Sequence, residues 1–255
     1  MILQKRDIEI MEYSNKFQCL SSLQIARLFS MHLKVCQKRL RILVEADYLE
    51  SVNIPRTHGG ICQKLFYLGK QGATLLNATP SKPRFTLQLT HQNKTTDLMI
   101  DIIVSIKRKE DIQCEVMSEH EIRISGHINI PDGVLKVRRR DKTALFCLEN
   151  DCGTEVVRST SCNWEDIENK CLRYLEQFEA NQVNLYENYF TEKFNRFRVL
   201  FVCSDNCRLN AISNLLTDEK FHFIWLTTIN AFNREGICGN IWNVPSLNES
   251  NQSII

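Results

Sequence analysis

The stretch INIPDGVLKVRRRDKTALFCLEND, residues 128–151, decides how the chain is read. Its first arm alternates apolar residues at Ile128, Ile130 and Val134, and its second is an apolar run from Ala144 to Leu148. The charged segment Arg138–Asp141 separates them, so the spacing predicts a β-hairpin. Asp132 sits at the break in the first arm, and Glu149 and Asp151 end the second. Residues two apart on a strand share a face, so Glu149 and Asp151 converge, and an antiparallel neighbour can bring Asp132 beside them. Three such carboxylates repel one another unless protons or a divalent cation neutralise them.

That chemistry suits phosphodiester hydrolysis, which needs water made nucleophilic at neutral pH and charge neutralised on the phosphate oxygens. The expected arrangement has Asp132 and Glu149 holding Mg2+ or Mn2+, and Asp151 as a third ligand or an outer-shell base. Lys170, on the following helix, is the expected electrostatic stabiliser, and Glu155 is a reserve ligand. Each piece also has a bland reading. Pro-Asp-Gly is a common turn, the acids can end a strand at solvent, and a lysine on an amphipathic helix is usually solvated. Tyr174, one turn beyond Lys170 and next to Leu175, reads as packing more readily than as a covalent nucleophile.

At 255 residues the chain is long for one domain. Its 43% apolar and 24% charged residues are those of an ordinary globular protein. No apolar segment approaches the roughly 20 residues of a membrane-spanning helix, and the first residues lack the apolar core of a signal peptide, so the expectation is a cytoplasmic protein without membrane insertion. The 11 cysteines are scattered and odd in number, as suits small core residues in a reducing compartment. Cys203, Cys207 and His222 do not complete a zinc motif. A small-molecule hydrolase is disfavoured, because neither a glycine-rich phosphate loop nor a Gly-x-Ser-x-Gly elbow occurs.

The net charge of +2 hides an asymmetry: residues 1–84 hold 13 Lys and Arg against 6 Asp and Glu. A basic front half points to a polyanion. Pro80 to Pro83 is the expected linker, giving domains over 1–80 and 81–245 and a polar tail, 246–255, read as disordered or partner-binding. Within the first domain, helical spacing begins at Asp7 and again at Ser21–Ser22, and a third, basic helix runs from Lys34. On that helix Val35, Cys36, Leu40, Leu43 and Val44 are expected inward, and Lys34, Lys38, Arg39 and Arg41 outward. Two strands around a loop with Arg56 follow, then a closing helix.

Helix, helix, basic helix and β-wing resemble a winged helix-turn-helix domain. Lys34, Lys38, Arg39, Arg41 and Arg56 are then the expected contacts to double-stranded DNA. The remainder reads as a helix over His91–Lys107, extended segments at Cys114–Met117 and Glu121–Ile124, the hairpin, a helix over Trp164–Ala180, a strand from Arg198, a helix from Arg208 and a last strand from Phe221. This implies an α+β fold with a mixed sheet flanked by helices.

That order, with Pro131-Asp132-Gly133 followed by Glu149-Asn150-Asp151, resembles the restriction-endonuclease-like PD-(D/E)xK fold. With the winged helix, LENDCGTE at 148–155, KCLRY at 170–174 and the Val-Leu-Phe-Val strand, the chain resembles the replication-relaxation family, which includes MobC-type plasmid relaxases. The resemblance implies a metal-dependent nickase at a plasmid transfer or replication origin, with other mobilisation proteins as partners. It places the superfamily's Asp on Asp132, its Glu on Glu149 and its Lys on Asp151. An acid at that last position cannot donate a hydrogen bond to water or phosphate. Either Lys170 supplies the missing cation, or the domain is an inactive DNA-binding regulator.

Overall fold

The computed structural model describes residues 2–54, 63–79, 82–83, 87–124, 130–159 and 166–254. The chain forms two compact units, Met1–Ile100 and Asp101–Ile255.

The first unit runs α1 (Lys5–Lys16), β1 (Leu20–Ser21), α2 (Ser22–Leu28), α3 (Leu33–Glu45), β2 (Leu49–Ile54), β3 (Gln63–Leu68), α4 (Lys70–Leu76) and the start of α5 (Leu87–Lys107). Ser21 and Gln24 cap α2 reciprocally, Ser21 Oγ accepting the Gln24 N–H and Gln24 Oε1 the Ser21 N–H. The strands form an antiparallel sheet in the order β1-β3-β2. Cys36, Leu40 and Leu43 are the buried face of α3. Val35 was expected there too, but it is 58% exposed, because about 100° per residue turns it away from Cys36.

The unit continues beyond the Pro80–Pro83 segment expected to end it. Gln24 Nε2 donates to Asn93 Oδ1 at 3.0 Å and Asp97 Oδ1 at 3.2 Å, and Arg27 Nη1 pairs with Asp97 Oδ1 at 2.9 Å. These bonds tie the first half of α5 to α2.

The second unit holds a seven-stranded mixed sheet in the order β10-β9-β8-β7-β6-β5-β4. Its strands are β4 (Ile112–Ser118), β5 (Gly133–Arg139), β6 (Lys142–Asp151), β7 (Phe197–Cys203), β8 (Ile224–Thr228), β9 (Trp242–Val244) and β10 (Glu249–Gln252). The central pairs β6–β7 and β7–β8 are parallel and the flanking ones antiparallel. Helices α6 (Glu119–Ile124), α7 (Ile167–Glu179), α8 (Asn184–Phe190), α9 (Asn206–Ser213) and α10 (Ile229–Glu235) complete it. The expected hairpin is β5–β6, turning at Arg140–Asp141 with Arg139 opposite Lys142.

Three expectations are corrected here. Glu121–Ile124 lies in a helix, because Ser118 and Glu121 form a capping box: Glu121 Oε2 accepts the Ser118 N–H at 2.9 Å and Ser118 Oγ the Glu121 N–H at 3.3 Å. The helix expected from Trp164 is α7, capped by Asp166, whose Oδ1 accepts the Asn169 N–H at 2.8 Å; Trp164 itself lies outside the described residues. The polar tail is ordered through β10, which pairs antiparallel with β9.

Val134, Leu145, Cys147, Val199, Phe201, Cys203 and Leu226 pack on one face against Ile167, Cys171 and Tyr174 of α7, Phe190 of α8 and Ile212 of α9. Glu149 and Asp151 continue the parity of Leu145 and Cys147, so both carboxylates enter the covered face at the end of β6. Among the described residues no helix is long and apolar enough to cross a membrane.

Candidate functional site

Glu149, 3% exposed, is held from α7 on both oxygens. The Tyr174 hydroxyl donates to Oε1 at 2.5 Å and Lys170 Nζ to Oε2 at 3.2 Å. Lys170 and Tyr174 are four apart, hence neighbours on one helix face. Lys170 is also gripped by Glu155 on the loop after β6, 3.0 Å from Oε1 and 2.9 Å from Oε2. Asp132, just before β5, is pinned beside the end of β6 because its Oδ2 accepts the Asn150 N–H at 2.7 Å. Its charge acts on both Glu149 and Lys170. The fold thus brings Asp132, Glu149, Lys170 and Glu155 together from three segments of the chain.

Burial pushes the Glu149 carboxyl up to about 7, with nearby Asp132 adding to the rise and Lys170 and Tyr174 opposing it. For Lys170 burial favours the neutral amine, but Glu149 and Glu155 outweigh it and hold the ammonium charged above its ordinary range. The Tyr174 phenol lies well above its ordinary value through burial and the Glu149 charge. Tyr174 is completely buried with its hydroxyl committed to Glu149, so it is no nucleophile for DNA.

Asp151 does not join this group. Arg208, on α9, donates from Nε to Oδ2 at 2.5 Å and from Nη2 to Oδ1 at 3.0 Å, and the Gly153 N–H reaches Oδ1 at 3.1 Å. Arg208 Nη2 also donates to the Glu155 carbonyl at 2.5 Å. Among the described residues no three His, Cys, Asp or Glu stand close enough to hold a metal ion. The three-carboxylate centre is corrected accordingly: both oxygens of Asp151 are occupied by a fork-like guanidinium. Nothing local in the sequence marks Arg208, which lies 57 residues from its partner.

In the first unit Lys34, Lys38 and Arg41 are exposed on α3. Arg39 is not available alongside them. Its Nε donates to Asp7 Oδ1 at 2.8 Å, Nη2 pairs with Asp7 Oδ2, and Nη2 reaches the Ile2 carbonyl at 3.1 Å. Asp7 is fully buried, so Arg39 is its counter-charge and not a DNA contact. Arg56 lies outside the described residues.

The replication-relaxation family profile matches residues 14–192, more than half of the sequence. Among curated proteins none matches. Among solved structures, restriction endonuclease FokI bound to DNA aligns with 90% of this chain and 43% of that one, at 10% identity and a TM-score of 0.28. The chain therefore spans less than half the length of that protein, and a likeness so distant carries no argument.

Proposed function

The chain belongs to the replication-relaxation family, and from that premise we propose that it is a DNA-processing protein that nicks one strand of a duplex at a plasmid transfer or replication origin. The first unit acts as a winged helix whose third helix grips DNA through Lys34, Lys38 and Arg41. The second is a nuclease-like domain of the restriction-endonuclease type, with Asp132 and Glu149 as its metal-holding acids. The observation that carries this reading is the meeting of Asp132, Glu149 and Lys170 at one end of the β5–β6 hairpin.

Two carboxylates are a sufficient donor set. Mg2+ and Mn2+ prefer hard oxygen ligands, and Mg2+ is commonly held by one or two acids, with water and substrate phosphate completing the shell. Bound there, the ion would lower the pKa of water and neutralise charge growing on the phosphate. The remaining roles belong to the chain itself. Lys170 replaces the lysine that the superfamily carries where Asp151 stands, and its ammonium stabilises the phosphate oxygens as water adds to phosphorus and the sugar oxygen leaves. Tyr174 fixes the Glu149 carboxylate by one hydrogen bond. Arg208 ties Asp151 to the Glu155 backbone, which keeps the Lys170-bearing corner in place.

One observation favours a second reading, an inactive DNA-binding regulator. Glu149 and Asp151 are already neutralised by Lys170 and Arg208. Nicking of supercoiled plasmid with Mg2+ or Mn2+, by wild type and by Asp132→Ala and Glu149→Gln, separates the two. The nickase reading expects open-circular product from wild type, and loss of at least about 100-fold in the variants with DNA binding retained. Wild type that binds duplex but never nicks it, with either ion, leaves the regulator.

A further inference from the structure

The basic segment at the tip of the β5–β6 hairpin has no part in the site above. The tip lies roughly 26 Å along the hairpin from Asp132, at about 3.3 Å per residue. Two of its cations have internal duties. Arg138 pairs with Glu192 at 2.6 Å, an oxygen that also accepts from Thr143, and Arg139 pairs with Asp111 at 2.8 Å. Arg140 and Lys142 are exposed and form no ion pair among the described residues.

The turn that follows α5 joins them. Ile112 stands opposite Arg139 in the β4–β5 ladder, so the preceding residues 107–111 flank the tip. Arg108 and Lys109 there are likewise exposed and outside any ion pair among the described residues. Electrostatic proximity agrees: Arg139 and Arg140 both act on Asp111, and Lys109, Arg139 and Asp111 all act on Cys238. Of the acids in this patch, Asp111 is engaged by Arg139, leaving Glu110 and Asp141 against four uncommitted cations.

Arg140 adds a second observation. Its φ is +54°, the left-handed region where glycine or asparagine turns a hairpin at lower cost. Protection of an edge strand such as β4 needs charge near it but not at this position. An arginine in this conformation at the exposed tip carries a guanidinium that the turn itself does not need, open to a ligand.

We propose that Arg140 and Lys142, with Arg108 and Lys109, form a second contact to the phosphate backbone of duplex DNA, separate from the α3 face. This rests on the DNA-processing reading and extends it. A phosphate held here lies roughly eight base pairs from one at Asp132, at about 3.4 Å per step along a strand. The patch therefore lengthens the footprint of the second unit without reading bases.

The test uses the full chain and a labelled duplex of mixed sequence, with affinity measured from about 50 to 200 mM salt. Arg140→Gly should lower the slope of log affinity against log salt by about one, and Arg140→Gly with Lys142→Gln by about two. Arg140→Gly should at the same time leave the melting temperature unchanged or raise it, an outcome that damage to the fold cannot imitate. Lys34→Gln with Lys38→Gln reports on α3 separately. Unchanged slopes in the hairpin variants, with binding by wild type intact, overturn the inference and leave the α3 reading standing. Lowered slopes in the hairpin variants alone support it and remove α3 instead. No binding of duplex by wild type overturns both.

Discussion

Lys170 Nζ lies 3.2 Å from Glu149 Oε2, joining a buried carboxylate at the end of β6 to a helix residue 21 positions later. Neither group is stable in that place without the other. A carboxylate shielded from water and close to Asp132 needs a cation or a proton, and the buried ammonium needs an acid. The pair makes stability and any chemistry at this corner depend on pH.

For Glu149 the folded pKa, about 7, lies above its ordinary 4.5. Its contribution to stability is therefore fully present below pH 4.5 and is lost as pH rises through 7. Compared with Glu149→Gln, wild type is predicted to lose on the order of 3 kcal/mol across that window. Thermal unfolding of both proteins from pH 4 to 8 checks this, and a difference that stays constant with pH would refute it.

Lys170→Met removes the cation and leaves Glu149 beside Asp132. The predicted cost is about 3 kcal/mol at pH 7, because Glu149, no longer held charged by the ammonium, must take up a proton to stay buried beside Asp132. At pH 5 the cost should shrink, since Glu149 then carries a proton. Denaturant unfolding at the two pH values measures it, and an equal cost at both would show that the ammonium matters only for packing.

Tyr174→Phe withdraws one donor from Glu149 without opening a cavity. It should cost about 1–2 kcal/mol, as expected when a buried acceptor loses its partner. If the protein nicks, the variant should still nick, and denaturing gels of wild type with nicked DNA should show no covalent protein–DNA adduct. An adduct that disappears in the variant would mean that Tyr174 leaves its buried position.

Asp7 and Arg39 give the first unit a test of its own. Burial opposes the charged form of Asp7, but the Arg39 guanidinium prevails and holds the carboxyl below its ordinary 3.8. The stability it contributes is present above that value and lost as pH falls through the lower folded pKa. Asp7→Ala should cost about 3 kcal/mol at neutral pH. Hydrogen exchange should quicken in α1 and α3, and unchanged exchange there would contradict the assignment. Reduced DNA binding by Arg39→Ala is expected to follow from this loosening, not from a missing phosphate contact.

The hairpin was legible from the apolar run Ala144–Leu148 and the charged segment before it, and the parity that buries Leu145 and Cys147 carries Glu149 onto the same face. Of the alternating residues expected in the first arm, Val134 lies in β5, Ile130 precedes it and Ile128 lies outside the described residues. Lys170 and Tyr174 were legible as one helix face but not as the partners of Glu149. Periodicity says which way a side chain points; what it meets is set by packing between distant elements. Arg208 on Asp151 and Arg39 on Asp7 escaped for that reason, and each turned an expected ligand or DNA contact into an internal ion pair. The short helix after β4 was within reach, because Ser118 and Glu121 stand at capping-box spacing, but the apolar alternation of Ile122 and Ile124 suggested a strand.

The last strand, β10, carries a practical consequence. Glu249–Gln252 is polar, and it covers the outer backbone donors and acceptors of β9. Trimming the chain after Val244 would leave those groups unpaired along a rim beside the buried Trp242, a template onto which a second molecule could add a strand. Versions shortened after Val244 should therefore self-associate more readily than a chain that carries β10.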